Sequence, residues 1–389
     1  MSGQLGACAG PISIRRADLA TSCGVLALFG SAIVLPELGS KVALVDPVLG
    51  FVVLLGMRSI AHQPGSPAAQ LLKDAAPWLW LILLASIGSL YGVGFAGSTL
   101  LNTATSIFSY TLFFCAYQLF LDRRDHLGLF RTTLLITVVF VVVTLALDIG
   151  SFVRAQGTFQ NPNYAAHFLV ASLLVTWPRA PSRGYAGVLA VGTLGLVLTA
   201  SFGGLSMLLS VAGYEAFRRL RSRPHLLAVA AAAALVLAWT AVEHRWELEP
   251  PELRPTQALS TDRLERSQEG RLNTWRQSLG SLESSPFGIG PDGVRRTGLA
   301  GGKEAHNSYI AYLVERGAFG LLGLLGLGVV LWRRAEPGGG ARRLLIAFAV
   351  GNAVRETLHY RHMWLTLALA FAWEAAERQR DVAAQAVAR

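Results

Sequence analysis

FRTTLLITVVFVVVTLALDIG, residues 130–150, is an apolar run whose only charges, Arg131 and Asp148, stand near its ends. A membrane-barrel strand would be about ten residues of alternating character, so a run this long without alternation is a membrane-spanning helix. Comparable runs recur along the whole chain, and spans are expected near 19–35, 42–60, 77–96, 98–121, 130–150, 163–178, 185–200, 203–217, 226–242, 307–332, 343–360 and 362–376. A hydrocarbon core of about 30 Å asks for roughly 20 residues per helix, which most of these approach. The composition agrees: of 389 residues, 52% are hydrophobic and 15% charged, with a mean hydropathy of +0.45. Soluble domains carry about 25% charged residues, so a soluble enzyme, a disordered chain and a disulfide scaffold are all excluded. The expected fold is an all-α, polytopic transmembrane bundle.

The net charge of +10 does not point to nucleic acid, because cytoplasmic loops of membrane proteins collect Lys and Arg. No basic tract is interleaved with aromatics in the manner of a nucleic-acid groove. Arginines flank the 185–217 stretch on both sides, Arg179 and Arg183 before it, then Arg218, Arg219, Arg221 and Arg223 after it. If both clusters are cytoplasmic the stretch crosses twice and turns at Ser201-Phe202-Gly203-Gly204. About twelve spans follow, with both termini cytoplasmic and roughly 20 of the 34 Lys and Arg inside. The chain divides into an N-terminal bundle (1–242), a periplasmic loop (243–306), and a C-terminal part with a cytoplasmic tail (307–389). Cys8, Cys23 and Cys115 all lie outside that loop, which excludes a disulfide or thiolate site there. Leu5-Gly6-Ala7-Cys8 looks like a lipoprotein cleavage box, but no apolar stretch precedes it, and 19–35 reads as a retained span.

The long loop opens acidic, with Glu243, Glu247, Glu249 and Glu252, and kinks at Pro250-Pro251. An amphipathic helix is expected at about 261–284, where Leu272, Trp275, Leu279 and Leu282 recur at three and four residues. That face suits the bilayer surface or the bundle, and Arg271, Trp275 and Ser278 fall close together on the helix. Gly288-Ile289-Gly290-Pro291-Asp292-Gly293 spells GxGxxG. A dinucleotide site needs a strand before it and a helix after it; here an amphipathic helix precedes it and Pro291 interrupts it, so it is a loop.

Candidate chemistry gathers where this loop re-enters the membrane. His306, in His306-Asn307-Ser308-Tyr309, can take a proton from a hydroxyl nucleophile, or can simply hydrogen-bond at the interface. Arg271, Arg276, Arg295 and Arg296 suit a diphosphate, since guanidinium pairs bidentately with phosphate oxygens; the other reading pairs them with Glu265, Glu269 and Glu283 or with lipid head groups. Arg355, Glu356 and His359 fall inside an expected span, with Arg355 and His359 on one helix face and Arg361 and His362 just beyond. Interior pairing and lining of the external cavity both remain open for them. Structural roles suffice for Asp46 and Asp148.

These segments resemble the O-antigen ligase and polymerase superfamily. The resemblance rests on Gly157-Thr158-Phe159-Gln160-Asn161-Pro162-Asn163-Tyr164-Ala165-Ala166, on Gly270-Arg271 through Trp275, and on Pro286-Phe287-Gly288-Ile289-Gly290. Its strongest part is His306-Asn307-Ser308-Tyr309 continuing to Glu315-Arg316-Gly317-Ala318-Phe319-Gly320. The order of the motifs and the long external loop between two late spans fit as well, over about residues 150 to 375. The resemblance implies a GT-C-like bundle in the bacterial inner membrane, with its active site facing the periplasm. The implied donor is a glycan on undecaprenyl diphosphate, and the acceptor is lipid A-core or a growing glycan. No cofactor is expected, and a metal would need two or three ligands beside His306. By the same resemblance His306 and Arg271 are catalytic, His306 activating the acceptor hydroxyl and Arg271 holding the diphosphate. Asn163, Asn307 and Glu315 are substrate-binding or support the site. One departure stands out: the family often has Ser-Arg-Gly where this chain reads Ser201-Phe202-Gly203. Arg154 and Arg276 are the expected substitutes for that arginine. Ligation to lipid A-core is preferred, with repeat-unit polymerisation as the alternative. A polyprenyl-glycan transporter or flippase, from another class, would place charged or broken helices at the midplane.

Overall fold

The computed structural model describes residues 18–33, 45–91, 97–148, 155, 157–159, 161–177, 183–220, 261–299 and 305–387. Every regular element among them is helical: α1 (Leu19–Gly30), α2 (Asp46–His62), α3 (Pro67–Tyr91), α4 (Gly97–Asp122), α5 (Leu127–Leu147), α6 (Pro162–Thr176), α7 (Arg183–Thr199), α8 (Phe202–Leu220), α9 (Thr261–Gly280), the single turn α10 (Gly293–Arg296), α11 (Ser308–Arg334), α12 (Gly340–Val354) and α13 (Arg361–Val387). A helix stands at each expected span except 226–242, which lies outside the described residues together with Arg154 and Cys8. Among the described residues, four helical stretches are long and apolar enough to cross a membrane: Pro67–Leu90, Leu100–Asp122, Arg124–Leu147 and Ser308–Arg334. Leu19–Gly30 and Ala186–Thr199 are apolar but shorter.

Local chemistry sets the boundaries. α3 starts ten residues before the run expected at 77–96, because Ser66 Oγ accepts the Ala69 N–H at 3.1 Å and Pro67 takes the first helical position. Hydropathy misses this turn since Lys73 and Asp74 lie in it. α6 begins where the Asn161 side chain accepts the Asn163 N–H at 3.0 Å, again with a proline first. The turn between α7 and α8 falls at Ala200-Ser201, just ahead of the expected 201–204, with Ala200 left-handed at φ 44°.

α6 and the first half of α13 are buried almost all round, and with α4 they form the centre of the bundle. α11 lies on α3, where a Cβ on Gly326 would collide with the Trp78 ring and one on Gly323 with Ile82, so small residues set the helix spacing. Arg343 of α12 pairs with Glu215 of α8 at 2.7 Å, and Arg218 joins the same carboxylate at 2.9 Å. The outward faces are apolar: Phe51, Leu84, Ile136, Val197, Leu209 and Leu322 are each half or more exposed, as lipid requires and water would not.

One expectation is corrected. The span expected at 343–360 ends at Val354, and Arg355 is extended at φ −160°, ψ 160°, so Arg355 and His359 share no helix face. The cause is capture of the next residues by α11: Ser308 Oγ accepts the Thr357 N–H at 3.2 Å, and Thr357 Oγ1 donates to Asn352 Oδ1 at 2.6 Å. The leucines of the amphipathic helix face outward, as the bilayer-surface alternative requires and the bundle alternative does not. Leu272 and Leu279 are exposed, whereas Thr274 and Ser278 are buried.

Candidate active site at the entry of α11

Residues 305–308 are tied to three other elements. Trp275 Nε1 of α9 donates to the Ala305 carbonyl at 2.6 Å. Asn307 caps α11, its Oδ1 accepting the N–H groups of Tyr309 (2.9 Å) and Ile310 (3.1 Å). Ser308 Oγ lies 2.8 Å from Asn352 Oδ1 and 3.2 Å from the Arg355 carbonyl. His306, half-buried, stands between these anchors in the left-handed region at φ 52°. A non-glycine residue there costs free energy that the surrounding bonds must offset. Trp275→Phe keeps the ring and removes one anchor. It is expected to cost about 1 kcal/mol of stability, read as a lowered denaturation midpoint in detergent against wild type.

A second construction holds the other end of the motif. α11 breaks at Gly317 (φ 67°, ψ −174°), which frees backbone carbonyls one turn earlier. The loop after α9 fills them: Ile289 N–H donates to the Val314 carbonyl and Gly290 N–H to the Glu315 carbonyl, both at 3.0 Å. The approach is backbone to backbone. A Cβ on Gly288 would stand 2.5 Å from the Glu315 oxygen, and one on Gly317 would stand 2.9 Å from the Phe287 carbonyl carbon. The GxGxxG spelling is thus a loop locked to α11, with Asp292 left-handed at φ 63° and only the one-turn α10 after it.

Beside this lock lies a polar cavity of about 160 Å³. Its wall mixes Asp292, Glu315 and Glu356 with Arg295, Arg316, Arg361 and His359, and adds Tyr164, Tyr312 and Asn102. Arg316 is buried among hydroxyls: Nε donates to Ser86 Oγ at 3.0 Å and Nη2 to Ser106 Oγ at 3.2 Å, Nη1 meets Glu315 at 3.4 Å, and the guanidinium lies 4.2 Å from the Tyr312 ring centre. The Tyr312 and Tyr110 hydroxyls touch, and Arg361 pairs with Asp46 at 2.5 Å. Two apolar grooves reach the cavity from different sides. One, about 380 Å³ between α2, α3 and α4, ends at Ser86 and Ser106; the other, about 420 Å³ between α11, α12 and α13, ends at Leu358, which also lines the polar cavity.

Most of the residues singled out in the sequence meet here, though in different capacities. Glu315 lines the cavity. His306 is two residues from Ser308, which lines the cavity, and is not itself among the described lining residues. Arg271 is half-buried on the inner face of α9; burial first, and then the like charge of Arg355, push its pKa below the usual guanidinium range. Arg295 lines the cavity, whereas Arg296 donates to the Ile289 carbonyl at 3.2 Å and so fastens the loop. Arg276 is exposed and turned away from the site. Asn163 accepts the Ser201 hydroxyl at 2.9 Å, joining the start of α6 to the α7–α8 turn. Asp148 accepts the Gly157 N–H at 3.1 Å. Among the described residues no group of three or more His, Cys, Asp or Glu is placed to hold a metal.

Sequence reasoning missed Arg316 and His167. Arg316 had a signal, an ionisable residue inside an apolar run. His167 is fully buried in α6, with both ring nitrogens lacking a hydrogen-bond partner among the described residues and its ring 5.7 Å from that of Tyr360.

The lock, the cap and the cavity all lie within or beside one segment that is similar to a known family. Residues 165–325 match the family described as O-antigen ligase. No curated protein matches the chain. The match runs from within α6 through the α7–α8 turn, the Arg271 helix, the locking loop and α11 as far as residue 325, so three of the motifs fall inside it, while Gly157–Tyr164 of the first motif precede it. That similarity and the apolar helices together point to a membrane protein and support a glycosyltransferase-like enzyme of ligase or polymerase type.

Proposed function

We propose that the chain transfers a glycan from undecaprenyl diphosphate to an acceptor hydroxyl on the periplasmic face of the bacterial inner membrane. The supporting observation is a polar cavity, large enough for about one sugar ring, flanked by two separate apolar grooves. That arrangement suits a reaction between two lipid-anchored substrates. The acceptor hydroxyl attacks the anomeric carbon of the donor sugar. The bond from that carbon to the diphosphate oxygen breaks, and its electron pair leaves with the polyprenyl diphosphate. His306 takes the hydroxyl proton, and Arg271 offsets the charge gathering on the leaving group. Asn163 and Asn307 hold the local frame through their side-chain oxygens, and Glu315 positions Arg316. The same reading includes about twelve spans in a GT-C-like bundle, cytoplasmic termini, and the three-part division at 242 and 306.

Ligation to lipid A-core is the preferred reaction and repeat-unit polymerisation the second. A transporter would use a broken helix as its moving part. The break in α11 is instead closed by backbone bonds from residues 289 and 290, which favours a fixed site. The test is the undecaprenyl-linked glycan pool in the source organism with and without the gene, with a His306→Ala complement. Long undecaprenyl-linked chains and none on lipid A identify a ligase, and single repeat units identify a polymerase. An unchanged pool in every strain sinks the donor assignment.

A further inference from the structure

The link from α12 to α13 brings a further guanidinium to the site. Because the backbone at Arg355 is extended, the side chains of residues 355 and 356 leave on opposite sides. Glu356 lines the polar cavity, whereas Arg355 lies 5.3 Å from the Tyr164 ring centre and its Nε donates to Tyr360 Oη at 3.2 Å. The Arg355 carbonyl is held 3.2 Å from Ser308 Oγ, two residues beyond His306. Val354, just before it, packs against the α7–α8 turn: a Cβ on Gly203 would stand 3.4 Å from Val354 Cγ2. Arg355 therefore emerges between the His306 segment and the turn carrying Phe202. It is also close enough to Arg271 for the two like charges to act on each other.

Two guanidinium groups brought together in half-buried surroundings repel, and the repulsion is reversed by an anion with several acceptor oxygens between them. The ring of Tyr164 and the hydroxyl of Tyr360 hold the Arg355 side chain in place. We propose that Arg355 is a second phosphate-binding residue of this site, acting with Arg271 to grip the diphosphate of a lipid-linked sugar. The proposal rests on the donor reading above and gives a ligand to a residue for which interior pairing and cavity lining were both open.

The experiment is binding to the purified full chain in detergent, with undecaprenyl diphosphate, undecaprenol and phosphatidylglycerol as probes. Wild type is expected to prefer the diphosphate over both others. Arg355→Ala is expected to weaken diphosphate binding by about 10- to 100-fold and to leave undecaprenol binding unchanged. Arg355→Lys keeps the charge but loses the bidentate fork, and should recover part of the loss; it is read in place of the alanine variant if that fails to fold. Tyr360→Phe, which only loosens the Arg355 side chain, should weaken binding less. Wild-type preference for the diphosphate, undiminished in both Arg355 variants, overturns this assignment and leaves the donor reading standing. Equal wild-type affinity for diphosphate and undecaprenol overturns both. Equal affinity for phosphatidylglycerol and the diphosphate, lost together in Arg355→Ala, makes the arginines a lipid head-group site and overturns the donor contact.

Discussion

Gly317→Ala is expected to unfold the site and destabilise the protein by about 2–5 kcal/mol. At φ 67° and ψ −174° the residue occupies a backbone region open in practice only to glycine, which accounts for about 1–3 kcal/mol of that figure. The remainder is steric, because the added Cβ would lie 2.9 Å from the Phe287 carbonyl carbon and 3.0 Å from the Pro286 oxygen, both backbone atoms that no rotamer change can move. Displacing the 286–290 loop then strands the Val314 and Glu315 carbonyls, whose N–H donors come from Ile289 and Gly290. Loss of transfer and a lowered denaturation midpoint in detergent should appear together. Gly328→Ala on the same helix is the control: nothing lies within 4 Å of its Cβ, so stability should hold or rise slightly. Equal midpoints for the two variants would refute the interlock as a stabilising element.

His306→Ala is expected to lower glycan transfer by about 10²–10⁴-fold, the range for removal of a general base. Because His306 also sits at φ 52°, a loss in the alanine variant alone would not separate chemistry from backbone geometry. His306→Asn does so, since asparagine tolerates the left-handed region but cannot accept a proton at neutral pH. Both variants should fold as wild type and both should be inactive. If the asparagine variant transfers glycan at the wild-type rate, His306 acts only through its backbone, and the base must be sought among the carboxylates of the cavity, Glu315 or Glu356. Rates are to be read as lipid-linked glycan converted per unit of protein in membranes.

The helices were legible because a run such as 130–150 can satisfy its backbone in lipid only by coiling, and a helix does stand there at Leu127–Leu147. The site was legible in part. Arg271, Trp275 and Ser278 share the inner face of α9, as their spacing implies, but the leucines on which the amphipathic reading rested point outward. Asn163 and Asn307 carry motif positions whose side-chain oxygens close a turn and cap a helix. Arg355 was grouped with His359 by helical arithmetic that stops applying at Val354.

By itself the sequence determined a helical membrane protein, the order of its motifs and the family to which residues 165–325 are similar. Those properties follow from how each side chain partitions between lipid and water and from which residues stand side by side, both written locally in the chain. Tertiary structure alone decided that the 286–290 loop would close the break at Gly317 and that Trp275 would hold the carbonyl before His306. It also decided that Ser308 would bring Arg355 to the site. Each of these joins a backbone group to a partner 25 or more positions away, because a polar group withdrawn from water must find its hydrogen bond wherever the packed helices place one.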